Sequence, residues 1–435
     1  MNFNRMRALL LEHAIQGKLV PQLDDEPDVE QIGKTREEVP FDIPKKWKWL
    51  PLKVVCKDFL VPMRDKPTFS NNQMDTPWCR IEDIVEGKYL RGSKSARFLS
   101  EKTIQDMNLK VNPVGTVISA CSASIGAAAV VETQCCTNQT FIGLVCDEQH
   151  LFNWYLYFVL KSAKQRLVDI GTGTTIKYIS RKKYEEFLIP VPSLSEQRRI
   201  VAKLEESFAE IARAEKAYEE LQTLAGVLRG QILQEAIQGK LVPQMAEEGL
   251  VEQIGVAPDE RPFEIPKSWK WRALDEIFKF VDYRGKTPTK TTDGVRLITA
   301  SNVRQGYVDH KRIEFISSEE YIDRQNRGIS KKGDILFTTE APLGNVALAD
   351  LDVYSAGQRV ITLQTDSENK KLLMYFMLSP YFQKALKNNA TGTTAQGIKA
   401  ARLKKLMLPV PPVEEQARIA SKVEELLKQV DALSA

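Results

Sequence analysis

The sequence predicts an α+β protein built twice over. Two strand-rich mixed domains are joined by two long antiparallel helices in a coiled-coil spacer, arranged as a circularly permuted internal repeat with pseudo-two-fold symmetry. Three observations predict this. Blocks of sequence recur at nearly constant offset, two stretches carry apolar residues at helical spacing, and runs of Val, Ile, Thr, Phe and Tyr between them are punctuated by Gly, Pro, Asn and Asp.

The repeat comes first. "AIQGKLVPQ" begins at Ala14 and returns unchanged at Ala236, 222 positions on. "VEQIG" at Val29 returns at Val251, and "PFDIPKKWKW" at Pro40 returns as "PFEIPKSWKW" at Pro262. A second group recurs at an offset of 219: "TGTT" at Thr172 and Thr391, and "IPVPSLSEQRRI" at Ile189 against "LPVPPVEEQARI" at Leu408. Weaker pairs lie between, among them "GTVISACSASIG" from Gly115 and "GDILFTTEAPLG" from Gly333. The stretch after the first "PVP" ends in "AIQGKLVPQ"; that after the second runs to Ala435, and its matching end stands near the N-terminus. This layout predicts the N-terminal end of the second helical region at 1–39, mixed domains at 40–192 and 262–411, a central helical spacer at 193–261, and a C-terminal helix at 412–435.

The helices follow from periodicity. Ile200, Leu204, Phe208, Ile211, Tyr218, Leu221, Leu224, Leu228 and Ile232 form one apolar stripe among charged residues. Ile419, Val423, Leu426, Val430 and Leu433 step by four and three, an a/d seam. Gly17 and Gly239 stand where a left-handed residue ends a helix, with Pro21 and Pro243 beyond. A helix of about 44 residues is roughly 66 Å long. Within the domains, one helix is predicted near 151–168 and one near 370–387, with Phe41, Trp47 and Trp49 as core anchors.

Composition narrows the function. The chain has 435 residues and a formal charge of +4, which permits a basic patch without requiring one. The apolar run Leu151–Leu160 is too short to cross a bilayer, and Glu12 and His13 interrupt the only signal-like leucines. The six cysteines, Cys56, Cys79, Cys121, Cys135, Cys136 and Cys146, form no CxxC pair, which predicts free thiols in a cytoplasmic chain. His13, His150 and His310 have no counterparts between copies and no metal-ligand spacing. "RGKT" at Arg284 has Phe280 where a phosphate loop requires glycine, no G-x-S-x-G is present, and "EGK" at Glu86 lacks a well-placed upstream Asp and becomes "QGY" at Gln305. No catalytic constellation assembles, so the expected function is binding, with neither metal nor cofactor held by this chain.

Cations and hydroxyls cluster at corresponding places. The candidates for phosphate and base contacts are Arg64, Lys66, Arg91, Lys94, Thr172, Thr174, Thr175, Lys177 and Arg181 in the first copy. In the second they are Arg284, Lys286, Arg304, Thr391, Thr393, Thr394 and Lys399. A rigid two-headed frame with unlike heads suits a two-part, asymmetric polymer.

Over nearly its whole length the chain resembles the DNA specificity subunits (HsdS) of type I restriction–modification systems. The likeness rests on "TGTT…IPVPSLSEQRRIVAKLEE", "TGTT…LPVPPVEEQARIASKVEE", both "AIQGKLVPQ" ends, "RGKTP…RLITASNVRQGYV" and the circular layout. It implies that the mixed domains are target recognition domains, each reading one half of a bipartite double-stranded DNA site, and that the helices set the gap. It also implies two methyltransferase (modification) subunits docked on the helices, with Gln197, Arg198, Gln416 and Arg418 as partner contacts. Motor–nuclease restriction subunits attach through them, and S-adenosylmethionine, ATP and Mg2+ belong to those partners. The first copy departs from the family pattern, with "RDKPT" opposite "RGKTP". A two-headed protein scaffold without nucleic-acid binding is the alternative; steep salt dependence of DNA binding separates the two.

Overall fold

The computed structural model describes residues 2–32, 39–62, 66–252, 262–283, 287–392 and 396–434. Tertiary contacts divide the chain into two units, Met1–Ala217 and Tyr218–Ala435. The division falls inside a single 44-residue helix, Leu194–Ile237. Each unit therefore runs helix, mixed domain, helix. Framed this way the duplication is a tandem repeat, and the circular layout is the same repeat cut at a domain edge rather than within a helix.

Helices α1 (Phe3–Ile15), α2 (Asn153–Ser162), α3 (Lys164–Ile170), α4 (Leu194–Ile237), α5 (Lys370–Leu378), α6 (Pro380–Asn388) and α7 (Val413–Ser434) carry the frame. In the first unit α1 runs antiparallel to the first part of α4, with Arg7 paired to Glu215 at 2.5 Å. Further along, Pro21 O accepts from Arg199. In the second unit α7 runs antiparallel to the remainder of α4: Gln222 donates to Ser434 O and Arg229 pairs with Asp431.

Both "AIQGKLVPQ" segments end their helix in the same way. Gly17 and Gly239 adopt φ of 70° and 71°. The following amides of Lys18 and Lys240 bond back to His13 O and Glu235 O, as in a Schellman motif. A Cβ at Gly17 would lie 2.3 Å from Pro44, and one at Gly239 would lie 2.5 Å from Pro266. Glycine is thus required twice at each site, for its backbone conformation and for the close approach of the "IPK" segment.

The mixed domains share a four-stranded antiparallel sheet. Its order is Cys56–Leu60, Phe141–Cys146, Val117–Ala120, Ala128–Val131 in the first unit, and Lys279–Asp282, Val360–Gln364, Ile335–Thr338, Val346–Leu348 in the second. The first unit extends this sheet by Tyr89–Leu90 and Ile84–Val85. A two-stranded antiparallel pair closes each domain at its base, Lys48–Pro51 with Leu188–Val191 and Lys270–Ala273 with Met407–Val410. Alternating packing of the sheet against α2 or α5 buries the core, which continues onto Ile200 and Leu204 of α4 in the first unit and onto Ile419 and Val423 of α7 in the second.

One buried carboxylate locks each unit. Trp47 is 2% exposed, and its Nε1 donates to Glu196 Oε2 at 2.9 Å. Trp269 donates to Glu415 Oε2 at 2.8 Å. Gln22 and Gln244 donate to the other oxygen of the same carboxylates. Beside them Arg199 grips Glu26 and Arg418 grips Glu248 through two nitrogens each.

Several sequence expectations change here. Gln197 and Gln416, expected to contact a partner, are wholly buried. Gln197 accepts from Phe152 N and donates to His150 O and Pro192 O; Gln416 accepts from Asn369 N and donates to Pro411 O. Each fastens its helix start to its own domain. Arg418 is held by Glu248, and its true counterpart is Arg199, not Arg198; Arg198 is exposed with its guanidinium over Phe152. The apolar stripe of α4 is also not continuous: Leu221, Leu224 and Leu228 are exposed, while Ile232 of the stripe is buried together with Ala225 and Leu233. The predicted helix near 370–387 is two, because Ser379 caps a new helix beginning at Pro380, which has no N–H to continue the old one. The helix near 151–168 likewise divides at Ala163. All six cysteines are free and buried.

Trp47→Phe removes the donor and leaves a buried acceptor, which lowers unfolding free energy by about 1–3 kcal/mol. Urea denaturation measures this, and an unchanged midpoint overturns the lock. The acids respond to pH with opposite sign. Burial raises the Glu196 carboxyl and outweighs the hydrogen bonds from Trp47 and Gln22, so its contribution is complete below the ordinary carboxylate range and is lost as pH rises through the raised value. At Glu26 burial also pushes upward, but the hydrogen bonds from Arg199 and Ser195 prevail and the carboxyl is held low. Its contribution is present above the ordinary range and is lost as pH falls through the lowered value. Glu26→Gln therefore flattens the acid side of the stability–pH curve and Glu196→Gln the side above it, as thermal midpoints across pH will read.

Candidate nucleic-acid interface

The first "TGTT" forms the turn of a tight hairpin, and in the second copy Thr391 and Gly397 pair in the same way. Thr172 and Tyr178 exchange two backbone hydrogen bonds (2.9 and 2.8 Å), as do Thr391 and Gly397 (2.8 and 3.0 Å). The next residue docks each hairpin on a loop of the main sheet: Ile179 N donates to Cys121 O, and Ile398 N to Thr339 O. That neighbouring loop carries an alanine in the left-handed region in both units, Ala123 at φ 56° and Ala341 at φ 46°. Such a residue costs of order 1–3 kcal/mol and persists where the surroundings determine it. Hairpin and loop thus form one edge, repeated in backbone although the side chains differ.

In the first unit this edge borders a cleft of about 830 Å³ lined by Thr175, Lys177, Ser124 and two residues the sequence reading missed, Lys161 and Lys164. Helical phase could have found them, since positions three apart share a face. Thr172 stands at the hairpin base and Thr174 at its exposed turn. Lys177 Nζ also donates to Val168 O. The other described candidates do not line the cleft. Arg91 bonds Glu132 at 2.6 Å and lies over Tyr89. Lys94 reaches Ile84 O, Arg181 pairs with Glu185, and Lys66 is exposed. Arg64 lies outside the described residues.

The second unit has a different cleft, of about 410 Å³, whose walls include Lys290, Arg312, Arg359, Glu314 and Thr299. Its cations are internally matched. Lys290 and Arg312 both bond Glu314 (2.8 and 2.7 Å), and Arg359 bonds Glu340 at 2.8 Å. Burial alone would raise Glu314, but the two cations hold its carboxyl below the ordinary range. Arg304 pairs with Asp309 at 3.6 Å, and Lys399 is exposed at the start of a short helix. Arg284, Lys286, Thr393 and Thr394 lie outside the described residues; Thr287, just beyond, lines the cleft.

Among the described residues no three His, Cys, Asp or Glu side chains come together as a metal site, and no helix is long and apolar enough to cross a membrane.

The sequence matches the type I restriction modification DNA specificity domain twice, over residues 44–223 and 266–434. It is similar to the type I restriction enzyme EcoAI specificity subunit of Escherichia coli, at 23% identity over 99% of this chain and 90% of that one. It is similar also to the EcoKI specificity subunit of Escherichia coli K12, at 24% identity over 82% and 76%. Among solved structures, the HsdS subunit from Thermoanaerobacter tengcongensis shares the fold with a TM-score of 0.58 at 19% identity, covering 92% of this chain and 93% of that one. The repeated hairpin edge, the duplicated lock beneath it and these matches agree: the chain belongs to the family of type I restriction–modification DNA specificity subunits.

Proposed function

We propose that each mixed domain reads one half of a bipartite, asymmetric duplex DNA site, and that the helices fix the gap between halves and dock two methyltransferase subunits. One observation carries the reading. The same lock is built twice, and the hairpin edges above it carry different chemistry, so one frame presents two unlike reading surfaces. Phosphate contacts supply affinity and register, and a few side chains reaching base edges supply discrimination. Two modest readers gain strength from being joined, because the second binds at high effective concentration. The join is helix interior, since α4 continues unbroken from one unit into the next. This chain performs no reaction in the complex. S-adenosylmethionine, ATP and Mg2+ act on the methyltransferase subunits and on the restriction subunits attached through them, and the assembly works in the cytoplasm.

An exposed apolar row supports the docking role. Leu221, Leu224, Val227 and Leu228 share one face of α4, with Leu224 at 65% and Val227 at 63% exposure. Clustered apolar exposure of this kind marks a protein contact.

Inserting four residues after Ala217 lengthens the helix by about 6 Å and shifts the preferred gap by about one to two base pairs, with both half-sequences retained; methylome sequencing showing the original gap overturns the spacer role. Exchanging residues 50–185 for the matching segment of a relative leaves Trp47, Glu196 and Gln197 in place and changes one half-site only, and a change in both halves refutes independent reading. Leu224→Glu with Val227→Glu weakens assembly with co-expressed methyltransferase subunits at least about tenfold without moving the unfolding midpoint, and undiminished assembly places the docking surface elsewhere.

A further inference from the structure

The cleft of the first unit concentrates positive charge without an answer. Lys161, Lys164 and Lys177 line it, and among the described residues no carboxylate does. No carboxylate of the described residues pairs with Lys161 or Lys164, whereas Arg91, Arg181 and Arg304 each have one. Burial lowers the pKa of Lys161, and the neighbouring Lys164 adds to the effect. Lys164 is exposed, and its aliphatic stem is packed on the backbone. Its stem lies on Gly126, where a Cβ would come within 2.3 Å of it, and so it stands against the same loop that receives the "TGTT" hairpin.

The second unit provides a built-in comparison. At the 219-residue offset the three lysines become Pro380, Gln383 and Gln396. Gln383 covers Gly344 just as Lys164 covers Gly126, but its amide is used internally, donating to Gly344 O (2.9 Å) and Met377 O (2.8 Å). The backbone place is the same; the charge is confined to one copy. A structural requirement of the fold would appear in both.

Resting on the duplex-reading assignment, we propose that this cleft is a clamp for the DNA backbone. Lys161, Lys164 and Lys177 receive phosphodiester oxygens flanking the half-site read by the first domain, beside the hydroxyl of Thr175. The second domain has no counterpart, so the first half-site carries a larger share of the salt-sensitive, sequence-independent affinity. A phosphate entering the cleft relieves the repulsion between Lys161 and Lys164, and the apposition of fixed hairpin and loop sets where along the strand it enters.

The test is the salt dependence of duplex binding by the full chain assembled with its methyltransferase subunits. Each phosphate contact contributes about 0.9 to the log–log slope, so Lys161→Gln with Lys164→Gln makes the slope shallower by about 1.8. The variant then loses roughly tenfold less affinity than the wild type between 50 and 200 mM salt. Its base preference at both halves is unchanged, since the contact reads no sequence. The charge-matched pair Lys102→Gln with Lys110→Gln, two exposed lysines of the same domain outside the cleft lining, leaves the slope as it was. An unchanged slope in the cleft variant, an equal change in the charge-matched pair, or altered base preference overturns the clamp while leaving the duplex-reading assignment intact. An unchanged slope together with lost thermal stabilisation by millimolar inorganic phosphate assigns the cleft to a free anion and also overturns it. Failure of the wild-type complex to bind duplex at all removes both this inference and the assignment beneath it.

Discussion

Everything in each unit is referred to a carboxylate that cannot easily leave its place. Glu196 and Glu415 sit in the first turn of their helices, where the helix dipole favours negative charge, yet they are buried, where charge is disfavoured. The conflict is eased, though burial still prevails, by donors brought from elsewhere in the chain: an indole from the "WKW" segment and an amide from the end of "AIQGKLVPQ". One side chain thereby joins three sequence blocks, the outgoing helix, the domain entrance and the incoming helix end. Those are the blocks that repeat. Their recurrence is the trace of a single buried acid, built twice.

Because the lock lies outside the proposed recognition surface, that surface is free to vary. The four-stranded sheet keeps its order in both units, and the hairpin docks on the same loop with the same backbone bonds. Above this level the copies part. The first adds two short strands and a lysine-lined cleft; the second has a smaller cleft in which Glu314 and Glu340 neutralise the cations. Divergence at the edge is inexpensive in stability because the locks and the core beneath do not depend on it.

The frame was therefore legible in the sequence and the edge was not. Repeats, apolar spacing, the helix-ending glycines and the tryptophan anchors are local signals, and each has a local physical cause. Glu196 was hidden because an acid in a first helical turn looks like an ordinary surface residue, and only the fold brings Trp47 to it across 149 positions. Gln197 and Gln416 were assigned outward for the same reason: a polar residue within a shared motif reads as a contact, although its hydrogen bonds turn inward. The stripe of α4 was over-extended because spacing alone cannot tell which apolar positions meet the core: Ile232 does, together with Ala225, and Leu221, Leu224 and Leu228 do not. Charge was the weakest guide. Listing cations by position could not reveal that Arg91 and Arg304 are already matched, or that Lys161 and Lys164 are not.

That difference in matching bears on how the two surfaces engage DNA. An exposed ion pair contributes about 0–1 kcal/mol, so a phosphate can replace Glu132 at Arg91 or Glu340 at Arg359 with little net gain, and the exchange favours whichever geometry fits. Lysines with no partner to release bring their full electrostatic attraction to the encounter, at long range and regardless of base sequence. The first surface is thus suited to capture and positioning, while the second, whose cations must exchange partners, responds more to local fit. On the proposed reading, an asymmetric site follows from where each unit keeps its counter-charges as much as from which bases its side chains touch.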